Sequence, residues 1–382
     1  MVTAAVRVAV VAEYYPRAAD PALGVWAHRQ ALAARDAGAD VRVFVLHRPV
    51  PPKAALRSRE ARALLAPLRQ PLNATLDGLE VRYVPFVAPP RPRSYGAWGA
   101  WAAPPLRLAL RRARFDLIHA HYAAPAADAV RRAAPGRPYV VSVHGGDVLA
   151  VARQSPAGAR AVRSGLEGAR LVLANSAGTA ERARELGAGD ARVVHLGTDV
   201  PPEPPPHDPR TIVTVAHLVA RKRHADVLRA LAELPELTWV VVGDGPERPR
   251  LERLAAELGV AGRVRFEGAL PPARAVAAAQ RAGVFVLPST DEAFGVAYVE
   301  AMAGGVPAVG SAGEAGPEEI ASCGGGLLTV PPGDPAALAR AIRSALDSRE
   351  RLGAAARRTV LEHFTWEACG RATVGAYEAA LA

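Results

Sequence analysis

The chain has 382 residues, a formal charge of +10 and a mean hydropathy of +0.06. That length exceeds what one ordinary core fills, so two domains are expected, and no apolar run reaches the roughly 18 residues of a membrane span. Two cysteines, Cys323 and Cys369, cannot build a disulfide framework, which points to a reducing cytoplasmic setting.

A basic balance admits nucleic acid, an anionic membrane or anionic small substrates. Nucleic acid is disfavoured, because aromatics make up 5% of the chain and do not interleave with the basic residues. Lysine occurs only at Lys53 and Lys222, and the other basic residues are arginine. With so much alanine present, the arginine reads as a coding bias. Lys222 therefore stands out.

The apolar run Val6–Ala12 is too short for a signal segment and reads as a first buried strand, Arg7–Ala12. Gly24 follows its turn, ahead of a helix over Ala27–Ala37, in the position of a phosphate-loop glycine. Further strands are predicted at Asp40–Leu46, Glu80–Pro85, Leu117–Ala120, Tyr139–His144, Leu171–Ala174 and Arg192–His195. The stretch Lys53–Arg69, in a long connection, is basic and amphipathic, and Arg107–Arg114 is basic too. Both read as solvated faces or as contacts with an anionic membrane surface or lipid-linked acceptor. His119 and His121 share a strand face, but no third ligand stands at metal spacing. The strand before His144 ends in His144-Gly145-Gly146-Asp147. A histidine at a strand's carboxyl end faces a ligand by the switch-point rule, or else is a satisfied structural residue.

Five prolines within residues 201–206 favour an extended linker. The boundaries expected are 1–200 for a first domain, 201–209 for the linker, 210–364 for a second domain, and a helical tail over 365–382 that packs back on the first. The second half repeats the alternation, with strands at Thr211–His217, Thr238–Gly243, Arg263–Glu267, Val284–Pro288, Pro307–Gly310 and Gly326–Val330. Helical periods cover Ala225–Leu234, Arg248–Leu258 and Pro335–Leu346. Short apolar strands alternating with helices give an α/β class with two Rossmann-like, doubly wound parallel sheets, and a ligand cleft between the halves.

Lys222 sits between a strand and a helix with His217, Arg221, Arg223 and His224 around it, a cradle for a diphosphate or simply a solvated basic loop. Gly243-Asp244-Gly245-Pro246 reads as a tight turn. Residues 288–307, PSTDEAFGVAYVEAMAGGVP, are the most informative stretch. A strand ends, a turn opens and a helix begins near Gly295, so unpaired amides and the helix dipole make an anion site. Glu292 precedes the turn and Glu300 lies inside the helix, placed as a general acid and base, as two hydroxyl-binding forks, or as helix-dipole and surface carboxylates. No Asp-x-Asp pair is present, so a diphosphate site without metal is favoured.

These segments in order resemble the retaining glycosyltransferases of family 4, which have the GT-B fold. The resemblance runs over almost the whole chain. It includes Tyr15-Pro16 and Gly24, FDLIHAH at 115–121, VHGGD at 143–147, Asn175-Ser176 and HLGTD at 195–199. It continues through LVARK at 218–222, VVGDGPERPRL at 241–251, VRFEGALP at 264–271, the 288–307 stretch, GPEEI at 316–320 and Phe364-Thr365-Trp366. The resemblance implies a nucleotide diphosphate sugar as donor, no metal and no other cofactor, and transfer to an acceptor by front-face attack with the leaving diphosphate as base. It implies that Glu300 holds the ribose hydroxyls and Glu292 those of the transferred sugar. Backbone amides of Phe294, Gly295 and Val296 would cap the diphosphate, and Lys222 would neutralise it as it leaves. His144 would sit near the reacting carbon, Val264–Gly268 would line the base, and Gly24 and Asp147 would fall on the acceptor side. Such an enzyme would be a monomer or homodimer.

Two departures stand out. His217 occupies a position where the family usually has arginine, so either Arg221 or Arg223 compensates or a protonated His217 carries the charge. The first loop has one glycine where many relatives have two. A nucleotide-sugar 2-epimerase on the same fold and a non-catalytic nucleotide-sugar-binding partner are the competing readings. Donor base, sugar and acceptor are not readable.

Overall fold

The computed structural model describes residues 5–50, 65–91 and 94–382. Residues 51–64, most of the basic stretch noted above, lie outside them. The chain divides into two compact units, residues 1–195 with 366–382, and residues 196–365.

Among the described residues of the first unit, eight strands form one sheet: β1 (Arg7–Ala12), β2 (Asp40–His47), β3 (Asn73–Leu76), β4 (Leu79–Pro85), β5 (Leu117–His121), β6 (Tyr139–Val143), β7 (Leu171–Ala174) and β8 (Ala191–Val193). Their order is β3-β4-β2-β1-β5-β6-β7-β8. The central strands are buried on both faces, which is why their sequences read as continuous apolar runs rather than alternating ones. The sheet departs from expectation at one edge. β3 is not among the expected strands, and it pairs antiparallel with β4 through Asp77-Gly78, both at positive φ (46° and 81°). An Asp-Gly pair between two extended segments is the usual signal for such a two-residue hairpin.

The C-terminal helix Trp366–Leu381 belongs to this first unit and packs on the helix Val25–Asp36. Gly370 permits the approach, since a Cβ there would stand 2.2 Å from the Ala33 carbonyl oxygen. Buried polar groups fix the register. Gln30 Nε2 donates to Thr373 Oγ1 (3.1 Å), and Tyr377 Oη pairs with His119 Nδ1 (2.7 Å). The other ring nitrogen of His119 pairs with Ser142 Oγ (2.8 Å), so His119 keeps no lone pair for a metal.

The second unit has six strands: β9 (Asp208–Val215), β10 (Thr238–Val242), β11 (Val264–Gly268), β12 (Ala282–Leu287), β13 (Ala308–Ser311) and β14 (Leu327–Val330). All are parallel, in the order β11-β10-β9-β12-β13-β14. β9 starts three residues before the expected restart, immediately after the proline run. The tight turn at Gly243–Gly245 is structural. A Cβ on Gly243 or Gly245 would meet the Ala216 or Leu218 carbonyl oxygen at 2.0 or 2.4 Å, and Leu218 N donates to Asp244 O.

Candidate active site

Strand order fixes where a ligand can sit. In the second unit β9 and β12 are neighbours, yet the chain leaves β9 toward β10 on one side and leaves β12 toward β13 on the other. The loops after these two strands therefore open away from each other and leave a crevice at their carboxyl ends. Those loops carry Lys222 and Glu292.

The loop after β9 ends in a short turn, Ala220–Lys222, followed by Arg223 in the left-handed region (φ 54°), and the helix His224–Ala232 begins there. The loop after β12 passes through Asp291 (φ 52°) and Gly295 (φ 83°) before the helix Val296–Ala303. The two loops are joined by Thr290 N donating to Arg221 O (2.8 Å). Across that junction the Lys222 ammonium forms a close ion pair with Glu292, each side chain about one-tenth exposed. Ser289 Oγ donates to the same Glu292 oxygen (2.8 Å). The backbone of Glu292 is pinned on both sides, its amide donating to Glu314 Oε2 (2.9 Å) and its carbonyl accepting from Gly316 N (2.9 Å). Burial lowers the pKa of Lys222 and the Glu292 charge opposes that shift. Ser289 and Glu314 escaped the sequence reading because isolated serines and glutamates carry no pattern.

Beside this pair the helix Val296–Ala303 opens with Gly295 as its N-cap. The amides of Gly295, Val296 and Ala297 have no backbone or side-chain acceptor among the described residues, and all three residues are partly exposed. They present a positive helix end next to Lys222. Gly295 is required twice over: its φ is left-handed, and a Cβ would stand 2.5 Å from the Tyr298 ring. Gly295→Ala should therefore cost about 2 kcal/mol or more of stability and weaken anion binding, checked by denaturant unfolding and by nucleotide titration. The Phe294 side chain is buried and packs on Phe364 with ring centroids 5.7 Å apart, so any contact it makes to a ligand is through its backbone.

Glu300 lies one and a half turns further along, partly buried. Burial, and then the negative charge of Asp199, push its pKa up to about 7. Val264 begins the edge strand β11 and Gly268 ends it at φ 71°, its carbonyl accepting from Gly243 N (2.8 Å). Of the cations near Lys222, Arg223 is held by Asp226 (2.6 Å), while Arg221 is exposed with one long bond to Asp291 O (3.4 Å). His217 is exposed. His224 is buried, and burial pushes its pKa down to about 4.

The first unit repeats the crevice between β1 and β5, whose connections again leave in opposite directions. Tyr14 after β1 and Tyr122 after β5 meet there with ring centroids 5.0 Å apart. They line a cavity of about 550 Å³ with Arg91, Tyr95 and Gly146. His144 follows the adjacent strand β6, with Tyr122 5.3 Å away. Its Nε2 pairs with His121 Nδ1 (3.1 Å), and burial holds its pKa near 3, so the ring is neutral at physiological pH. Gly24 sits at φ 65° at the start of the helix Val25–Asp36, where a Cβ would meet the Tyr14 backbone at 2.2 Å. Its role in the structure is to let that helix start against the loop after β1. Asp147 requires a correction. It is fully buried and accepts from the amides of Ala123 (2.9 Å) and His144 (3.2 Å), so it shapes the loop instead of facing an acceptor.

Two family models match this chain. Glycosyltransferase Family 4 matches residues 23–201 and Glycosyl transferases group 1 matches residues 198–359. The D-inositol 3-phosphate glycosyltransferase 1 of Catenulispora acidiphila is 30% identical over 83% of this chain and 84% of its own length. The lipopolysaccharide core biosynthesis glycosyltransferase LpsE of Rhizobium meliloti is 34% identical over 52% of this chain, and the match spans about three fifths (61%) of that relative. Among solved structures, sucrose-phosphate synthase from Thermosynechococcus elongatus superposes with a TM-score of 0.79 at 22% identity, covering 98% of both chains.

Proposed function

Since the chain belongs to the glycosyltransferases of family 4 and has their GT-B fold, we propose that it moves a sugar from a nucleotide diphosphate sugar to an acceptor with retention of anomeric configuration and without a metal. The observation that carries this reading is the Lys222–Glu292 pair beside the open N-terminus of the helix Val296–Ala303. A cation, three amides without an acceptor and a carboxylate are carried by two adjoining loops, the set a sugar–phosphate junction calls for. Glu292 neutralises Lys222. An arriving diphosphate shares the ammonium and frees Glu292 for hydroxyls of the transferred sugar.

As the sugar–phosphate bond breaks, negative charge grows on the diphosphate. Once the donor is bound, Lys222 and the helix amides already face that charge and need no further reorganisation to meet it. The leaving phosphate oxygen takes the acceptor's proton, so no protein nucleophile is required. Glu300 holds the ribose diol, which its carboxylate accepts best when ionised. In the first unit, the Tyr14–Tyr122 cavity offers aromatic faces for an acceptor ring, and neutral His144 keeps one ring nitrogen for a hydrogen bond. Exposed Arg221 supplies the guanidinium that the family usually carries at the position of His217.

Thermal-shift titration against UDP-, GDP- and ADP-sugars tests the donor class, because a ligand that binds only the folded state raises the melting temperature. One base is expected to stand out, with no change on adding EDTA. Arg221→Gln should raise the donor KM about threefold to tenfold with kcat nearly unchanged, as loss of one exposed charge–phosphate contact would; steady-state kinetics checks it. Glu292→Ala should lose turnover while retaining nucleoside diphosphate binding.

A further inference from the structure

The helix Trp98–Leu110 covers the first unit's sheet with Trp98, Ala102, Leu106 and Leu110. Its opposite face is unusual. Trp101 is 53% exposed and Leu108 55% exposed. They stand seven residues apart, two helical turns, so they project from one face with exposed Pro104 between them. The end of this helix and the loop after it carry Arg111, Arg112 and Arg114, all exposed and with no acidic partner among the described residues. Arg107, by contrast, is turned onto the carbonyls of Arg132 and Ala133.

Arg112 also borders a cavity of about 640 Å³ between this helix and the β3–β4 hairpin. Arg42 and Arg82 line it too, with Glu80 as the carboxylate among its walls, 3.5 Å from Arg42. Among the described residues that line it, guanidinium groups outnumber carboxylates by three to one. A groove of this charge suits a phosphodiester.

A protein-docking core would gather its apolar side chains into one contiguous patch. Here two large apolar side chains stand about 10 Å apart along a helix and are followed by a row of arginines. That is the pattern of a helix lying in a bilayer interface, with its tryptophan at headgroup depth and its arginines on lipid phosphates. The net charge of +10 complements such a surface. We propose that this face docks the protein on an anionic bilayer, with Trp101 and Leu108 entering the headgroup boundary and the groove beside Arg112 receiving a lipid phosphate. The proposal is independent of the transferase reading.

Sedimentation of the full chain with vesicles tests it. Binding is expected to phosphatidylcholine vesicles containing 30% phosphatidylglycerol and not to phosphatidylcholine alone, and it should fall as salt is raised. At roughly fivefold per arginine near the surface, R111Q/R112Q/R114Q should weaken binding about a hundredfold. W101S/L108S should weaken it at least tenfold, and the anionic vesicles should shift wild-type tryptophan emission to the blue more than that of W101F. All these side chains are exposed, so the variants should keep the wild-type melting temperature. Absence of binding to the anionic vesicles, equal binding to neutral ones, or unchanged binding by either multiple variant would overturn the proposal.

Discussion

Replacing Lys222 with alanine is expected to lower kcat by about 10²–10³-fold, the usual effect of removing one preorganised group aimed at transition-state charge. The same change leaves Glu292 as a buried carboxylate without its cation, since both side chains are about one-tenth exposed. Breaking such a pair from one side costs about 3 kcal/mol or more, so the melting temperature should fall as well. The two effects can be separated. Lys222→Met combined with Glu292→Gln removes both charges together and should recover most of the melting temperature while turnover stays lost. Steady-state kinetics and thermal unfolding on the two variants read this directly. A Lys222→Ala enzyme with wild-type kcat would remove the leaving-group role from the residue.

Glu300→Gln is expected to separate stability from binding in the opposite way. The folded-state pKa of Glu300 is about 7 against an ordinary 4.5, raised by burial and then by Asp199. Between those values the folded chain holds a proton that the unfolded chain has released. Glu300 therefore contributes stability that is complete below about 4.5, is lost as pH rises toward 7, and is absent above it. Glutamine is neutral throughout. The variant should accordingly match the wild type at pH 4.5 and be more stable at pH 8, by on the order of 3 kcal/mol from the linkage relation. Unfolding curves of both proteins across that range give the difference, in which all other titrating groups cancel. At pH 8 the same variant should bind the nucleoside diphosphate about 10- to 100-fold more weakly, because the ribose hydroxyls lose a charged acceptor. A carboxylate kept at a cost in stability for the sake of a ligand is what a binding role requires.

The strands and long helices were legible because parallel strands buried on both faces read as short apolar runs. β1 and β7 match the expected bounds residue for residue, and most of the others shift by one to three. The antiparallel edge strand Asn73–Leu76 was missed although Asp77-Gly78 marked it, because only four residues form it and half of them are exposed. At the site, the helix starting after Gly295 was readable from glycine placement and the apolar run before it. Contact between Lys222 and Glu292 was not, since seventy residues separate them and only strand order decides which loops meet. Asp147 misled for a related reason. A carboxylate after two glycines looks ligand-facing in a one-dimensional motif, yet its oxygens are taken by the amides of Ala123 and His144.

A crystal structure of the chain soaked with a nucleotide diphosphate sugar tests the central claim most directly. The expected result places phosphate oxygens within about 3 Å of Lys222 Nζ and of the amides at Gly295 and Val296, with Glu292 turned from the lysine toward the sugar and Glu300 on the ribose. Density for the diphosphate elsewhere in the second unit, with the Lys222–Glu292 pair intact, would contradict it.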